Sequence, residues 1–121
     1  MPTDVNPLVP LVQSSERLLR EAQDPSGAWP AAPGFAPYGF SWFRDGAFIA
    51  EGASAAGLRV EADAFHRWCA AVLVREEPAV ARVVDELAAG RDVPDEAYLP
   101  ARYRLDGTRQ VDDWWNFQVD G

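Results

Sequence analysis

From Leu8 onward apolar residues recur at helical spacing. Leu8, Leu11, Val12, Leu18, Leu19 and Ala22 fall on one face, with Ser15 among them. That period predicts an amphipathic helix over 7–23. Asn6-Pro7 supplies an N-cap and a first helical position. Pro10 still lies in the first turn, where a missing N–H does little harm. Asp24-Pro25-Ser26-Gly27 stops the helix. A second helix is expected to begin between Ser41 and Asp45 and to run to Ala56. Ala47, Phe48, Ala50, Ala53 and Ala56 are small or apolar, which suits close packing on more than one side. Asp45 reads as a cap or a first-turn acid, and Gly57 as the stop. A third helical region spans 61–89. Phe65, Trp68, Cys69, Val72 and Leu73 share a face, and Val80, Val83, Val84 and Leu87 keep its phase beyond Pro78. One kinked helix and two short helices both fit that pattern. Gly90 ends it.

Two stretches break the helical pattern. Residues 24–41 are rich in proline, glycine and aromatics and read as a long ordered loop, a kind that is usually functional in compact domains. Residues 91–113 are irregular again, with Pro94, Pro100 and a turn at Asp106-Gly107, and Tyr103-Arg104-Leu105 is expected to form one arm of a short hairpin. If 61–89 is one helix, chain direction alternates up, down, up. Both irregular stretches then lie at one end of the helices, where ligand sites on helical scaffolds are built. Two antiparallel helices in 61–89 would break that parity. The helices are also more apolar than a three-helix bundle could cover.

Composition narrows the classes. The chain has 121 residues, 48% of them hydrophobic, enough to bury a core. The net charge of −8 argues against nucleic acid and against an anionic membrane surface, whereas a neutral carbohydrate is not repelled. All eleven basic residues are arginine. Cys69 is the single cysteine, so no internal disulfide is possible and no oxidising compartment is required. No apolar run is long enough to span a bilayer and no leader is evident, so the expected location is cytoplasmic.

The candidate chemistry lies in two stretches. Tyr38-Gly39-Phe40-Ser41-Trp42-Phe43-Arg44-Asp45 sets four rings before a charged pair. Rings stack on the apolar face of a pyranose, and charged side chains bond its hydroxyls strongly. Trp114-Trp115-Asn116-Phe117-Gln118-Val119-Asp120-Gly121 has the same character. A sugar site requires the two to meet in space. Each also has a plain reading. Asp45 can be a helix acid paired with Arg44, Tyr38 a packed tyrosine, and Trp114, Trp115, Gln118 and Asp120 an anchor with polar caps. His66 has no second ligand at metal spacing, Cys69 sits among bulky apolar residues, and Asp112-Asp113 alone is weak evidence for a cation, so neither a metal nor a cofactor is expected. Glu51, Glu61, Glu76 and Glu77 lack an aromatic surround that would raise a carboxyl pKa, and none is assigned catalysis.

Taken together these segments resemble the start of the catalytic domain of glycoside hydrolase family 15, the glucoamylases and their bacterial relatives. The matching residues are Ser26-Gly27-Ala28, Tyr38, Ser41 through Phe48, Leu99-Pro100-Ala101-Arg102-Tyr103, Asp106-Gly107, Trp114, and Gln118 through Gly121. The resemblance implies an all-α fold, an (α/α)6 barrel of which residues 1–121 are an incomplete N-terminal fragment of three to four helices plus long loops. It implies inverting, exo-acting hydrolysis of α-glucosides, releasing glucose from non-reducing ends. One carboxylic acid protonates the leaving oxygen and a second carboxylate activates water, about 6.5–9.5 Å away. By position Arg44 and Asp45 would bind hydroxyls of the terminal glucose, and Trp42 and Tyr38 would wall its subsite. Trp114 would reach toward the scissile bond, with Gln118 and Asp120 also matching the pattern. Asn116 stands where fungal members carry an arginine. The family's general acid and base lie downstream of the stretch seen here, so this chain alone is expected to be inactive. The partner implied is an α-glucan oligosaccharide or other α-glucoside. The alternatives are a non-catalytic carbohydrate-binding module and a helical protein-interaction module.

Overall fold

The computed structural model describes residues 6–110. Three helices account for most of them: α1 Leu8–Ala22, α2 Phe43–Ala55 and α3 Arg59–Ala88. Short 3-10 turns at Ala36–Tyr38 and Asp95–Ala97 punctuate the two loops. The stretch 112–120, with Trp114, Gln118, Asp120 and Asp112-Asp113, lies outside the described residues.

The helix starts follow from local chemistry. Asn6 Oδ1 accepts a hydrogen bond from Leu8 N at 3.0 Å and Pro7 is already helical in its backbone. Asn6 therefore caps α1, and Pro7 sits where its lost N–H costs nothing. No side chain caps α2. Its first turn begins after extended Trp42, whose carbonyl accepts from Gly46 N at 3.0 Å, and Asp45 is a first-turn acid favoured by the helix dipole. Gly57, at φ +88°, ends α2 as Leu58 N returns to Ala53 O at 2.8 Å. That left-handed turn is cheap only for glycine. Residues 59–88 form one continuous helix through Pro78, which lies on the exposed side, so water can serve the Val74 carbonyl that proline leaves without a donor.

The core is the α2–α3 seam and the loop that laps over it. Gly46, Ala50 and Ala53, spaced i, i+4 and i+7, are the buried face of α2. A Cβ on Gly46 would stand 2.1 Å from the Phe65 ring, so the helices approach as closely as they do because that position is bare. Ala62, Phe65, Trp68, Val72 and Glu76 form the facing stripe of α3. Trp29 closes the far side, with its ring 5.7 Å from Phe65 and its indole N–H donating to Leu19 O at 2.9 Å. Gly27, at φ +100°, presses against Ala64 O of α3 and leaves no room for a Cβ.

Outside this seam the helices are open. No residue of α1 is buried, and Leu8, Leu11, Val12 and Leu18 are exposed. Beyond residue 76 the apolar phase of α3 continues, yet Val80, Val84 and Leu87 are exposed, as is Leu73 before it. Phe48 stands 76% exposed on the outer side of α2. The sequence pattern thus marks apolar faces that these residues do not themselves cover.

Candidate functional site

With 59–88 a single helix, the two loops fall at one end, and the chain ties them together there. Ser41 and Tyr103 form an isolated antiparallel bridge, Ser41 N to Tyr103 O at 2.9 Å and Tyr103 N to Ser41 O at 3.0 Å. At the other end of the first loop, Ser26 Oγ donates to Leu105 O at 2.6 Å, and the same carbonyl accepts from the Trp68 indole at 2.9 Å. Tyr103 also bridges Arg109 across the Asp106-Gly107 turn, where Arg104 N donates to Thr108 O at 2.9 Å. The expected short hairpin is present, reduced to single bridges. Thr108 donates to Asp106 through both its hydroxyl and its backbone N–H. The hydroxyl bond first, and the backbone bond after it, hold the Asp106 carboxyl below its usual range.

Successive residues of an extended segment point to opposite sides, and both partners of the bridge use this. On one side Phe43 and Tyr103 enter the core, with ring centroids 5.4 Å apart, and Phe43 meets Trp68 edge-on at 5.7 Å. On the other side Trp42 and Arg102 face each other, the guanidinium 5.7 Å from the Trp42 ring centroid and 4.1 Å from that of Phe40. Tyr38 lies against Trp42 at 6.1 Å, tilted 37°, and Phe35 stacks on Tyr38 at 5.6 Å. Trp42 is 4% exposed, Tyr38 42% and Phe35 54%, so the open aromatic surface here belongs to Tyr38 and Phe35. Arg44 and Asp45 start α2 on the exposed side and approach one another at 3.9 Å. A contact that long between exposed side chains adds little to stability. Tyr38, Trp42, Arg44 and Asp45 thus occupy one end of α2 and the loop before it. Trp114, Gln118 and Asp120, expected to complete the site, lie outside the described residues.

The bridge is locked from behind by a cluster that the sequence reading does not single out. Glu76 is 8% exposed and accepts from Tyr103 OH at 3.3 Å and from Arg109 Nε at 2.8 Å, with Arg109 Nη2 in closer contact still. Burial first, and the Glu76 charge second, push the Tyr103 phenol well above its ordinary value. The hydrogen bond to Glu76 is the largest influence holding the Arg109 guanidinium protonated. Glu76 therefore has the aromatic neighbour that the sequence reading denies it, but its Oε2 is engaged by Tyr103 and Arg109 and it faces the core. Its signal was in the sequence: Glu76 continues the Phe65, Trp68, Val72 stripe, where an acid must find partners. Cys69 is half-buried, and burial raises its thiol to about 11, which keeps it protonated and inert at neutral pH. Among the described residues no cluster of His, Cys, Asp or Glu is arranged for a metal ion, and no helix is long and apolar enough to cross a membrane. A groove between α3 and the second loop, lined by Ala79, Val80, Val83, Val84, Ala97, Tyr98 and Leu99, shares no residue with the 38–45 stretch.

Comparison with known proteins decides the family. Residues 10–121 match the model for glycosyl hydrolases family 15. The chain belongs to this family. It is 40% identical over 112 residues to the isomaltose glucohydrolase of Kribbella flavida, a match that covers 92% of this chain and 29% of that protein. Among solved structures it is similar to a wild-type glycosidase, and to a single-residue variant of a glycosidase in complex with glucose. Each gives 39% identity and a TM-score of 0.85 over 92% of this chain and 30% of the other. The chain thus spans less than a third of the length of the family 15 relatives it matches. Its all-α architecture is that of the expected N-terminal portion of an (α/α)6 barrel, and the apolar faces left open on α1, α2 and α3 accord with that share.

Proposed function

We propose that this chain supplies part of the glucose-binding subsite of an inverting, exo-acting α-glucoside hydrolase that releases glucose from non-reducing ends. Arg44 and Asp45 bond hydroxyls of the terminal glucose, Tyr38 and Trp42 wall the subsite, Trp114 reaches toward the scissile bond, and Gln118 and Asp120 belong to the substrate-binding set. The observation that supports this reading is the Ser41–Tyr103 bridge, which brings the aromatic loop and the second loop to the same end of the helices, where Tyr38 lies against Trp42 and α2 starts with Arg44 and Asp45. The relatives add support, one being an isomaltose glucohydrolase and one a glycosidase that holds glucose. The general acid and general base come from sequence other than these residues, and the bond cleaved is an α-glucosidic linkage of the α-1,4, α-1,6 or trehalose type.

A chimera tests this. Residues 10–121 are placed in the Kribbella isomaltose glucohydrolase in exchange for its matching segment, and hydrolysis of isomaltose, maltose and trehalose is measured. The chimera is expected to release glucose, and Arg44→Ala or Asp45→Asn within it to lower kcat/KM by at least about a hundredfold, the loss of a charged hydrogen bond to a bound hydroxyl. The 121-residue chain alone is expected to show no turnover. Full activity of the chimera carrying Arg44→Ala, or turnover by the chain alone, would contradict the proposal.

A further inference from the structure

Arg102 is 6% exposed, and a guanidinium so enclosed needs compensation for the water it has lost. Part of that compensation comes from aromatic faces and a carbonyl. Its carbon lies 4.1 Å above the centre of the Phe40 ring and 5.7 Å from that of Trp42, both within cation–π range, and Nη1 donates to Pro37 O at 3.3 Å. Phe40, Trp42 and Pro37 all belong to the stretch that carries the proposed glucose wall. The backbone of Arg102 is fixed in turn, because its neighbour Tyr103 pairs with Ser41 and sends its ring to Glu76 on the core side.

We infer that Arg102 is the positioning residue of this pocket: it fixes the plane of the Trp42 indole and the path of residues 37–40 from beneath, and does not itself bind sugar. Its planar fork stacks and donates at once, which the compact ammonium of a lysine cannot reproduce. The consequence for ligand affinity rests on the glucose-site reading, whereas the consequence for Trp42 does not.

The 15N-labelled chain separates the two. Each tryptophan indole N–H gives its own resonance, and Trp42→Phe identifies that of Trp42. In Arg102→Met the Trp42 indole signal is expected to shift and to lose at least half its intensity. The Trp29 and Trp68 signals are expected to hold, because those indoles bond Leu19 O and Leu105 O. Arg102→Lys keeps the cation and is expected to show a smaller change of the same kind. If the Met variant does not fold, the Lys variant alone decides. An unmoved Trp42 signal, or equal changes at Trp29 and Trp68, would overturn the inference. In parallel, isomaltose is titrated into the chain, and Arg102→Met is expected to weaken binding at least fivefold. If the unsubstituted chain binds none, the glucose reading fails, while the indole spectra still decide whether Arg102 positions Trp42.

Discussion

Residues 8–22 and residues 26–42 make opposite use of their sequence. The first stretch has the cleanest helical amphipathy among the described helices, yet none of its residues is fully buried. The second is mostly loop, yet Gly27, Ala28, Trp29, Ser41 and Trp42 within it are buried. The difference is where each finds partners. The loop is covered by α3 and by residues 102–105, all within the described chain. The apolar stripe of α1 meets only the end of the seam, through Leu19 and Ala22, with Arg20 on Glu61 at 3.0 Å and Gln23 on Glu61 O at 2.8 Å. The loop that carries the proposed site is therefore covered from within the described residues, and the outer helical faces are not.

The comparison breaks most visibly under core truncation. Trp68→Ala removes a large buried ring and the bond to Leu105 O, and is expected to lower the unfolding free energy by about 3–5 kcal/mol in urea denaturation. Gly46→Ala drives a methyl into Phe65 and is expected to cost about 1–3 kcal/mol. Leu11→Ala on exposed α1 should stay within about 0.5 kcal/mol of the unsubstituted chain. A Leu11 effect as large as that of Trp68 would show that α1 is covered in solution.

The next effect concerns the lock behind the bridge. Glu76→Ala leaves Arg109 and the Tyr103 hydroxyl without their acceptor and is expected to cost about 1–3 kcal/mol, read by the same denaturation. The lock also sets an alkaline limb. The folded phenol of Tyr103 is raised above its ordinary 10.0, so the folded state holds that proton more tightly than the unfolded one. Its contribution is whole below pH 10 and is lost as pH rises above it. Cys69, raised from 9.0 to about 11, acts in the same direction between those values. Stability should fall from pH 9 upward. Tyr103→Phe should flatten the part above pH 10, and Cys69→Ala the part between 9 and 11.

Much of this was legible from spacing. Three helical regions and their glycine stops at Gly57 and Gly90 follow from apolar period, and the shared end of the two loops follows from chain parity once 61–89 is one helix. Two things were not. Glu76 is buried by a tyrosine 27 residues away, and no local pattern names that partner. Arg102 carries no periodic signal at all, since its role depends on a bridge between two irregular segments. The exposure of Leu73, Val80 and Val84 is the converse case: the pattern of α3 describes a fuller fold than 105 described residues contain.

The smallest stability effect belongs to the proposed sugar ligands. Arg44→Ala removes an exposed side chain whose contact with Asp45 is 3.9 Å long and should change stability by less than about 0.5 kcal/mol. A larger loss would make Arg44 a structural residue and strengthen the plain helix-start reading of Arg44-Asp45.

The most direct measurement is a glucose titration of the 15N-labelled chain with assigned backbone and indole resonances. The account predicts saturable shifts concentrated at residues 38–45, including the Trp42 indole, and their loss in Arg44→Ala. Shifts centred on the exposed face of α1 or on the Val80–Leu99 groove, or none that saturate, would contradict it.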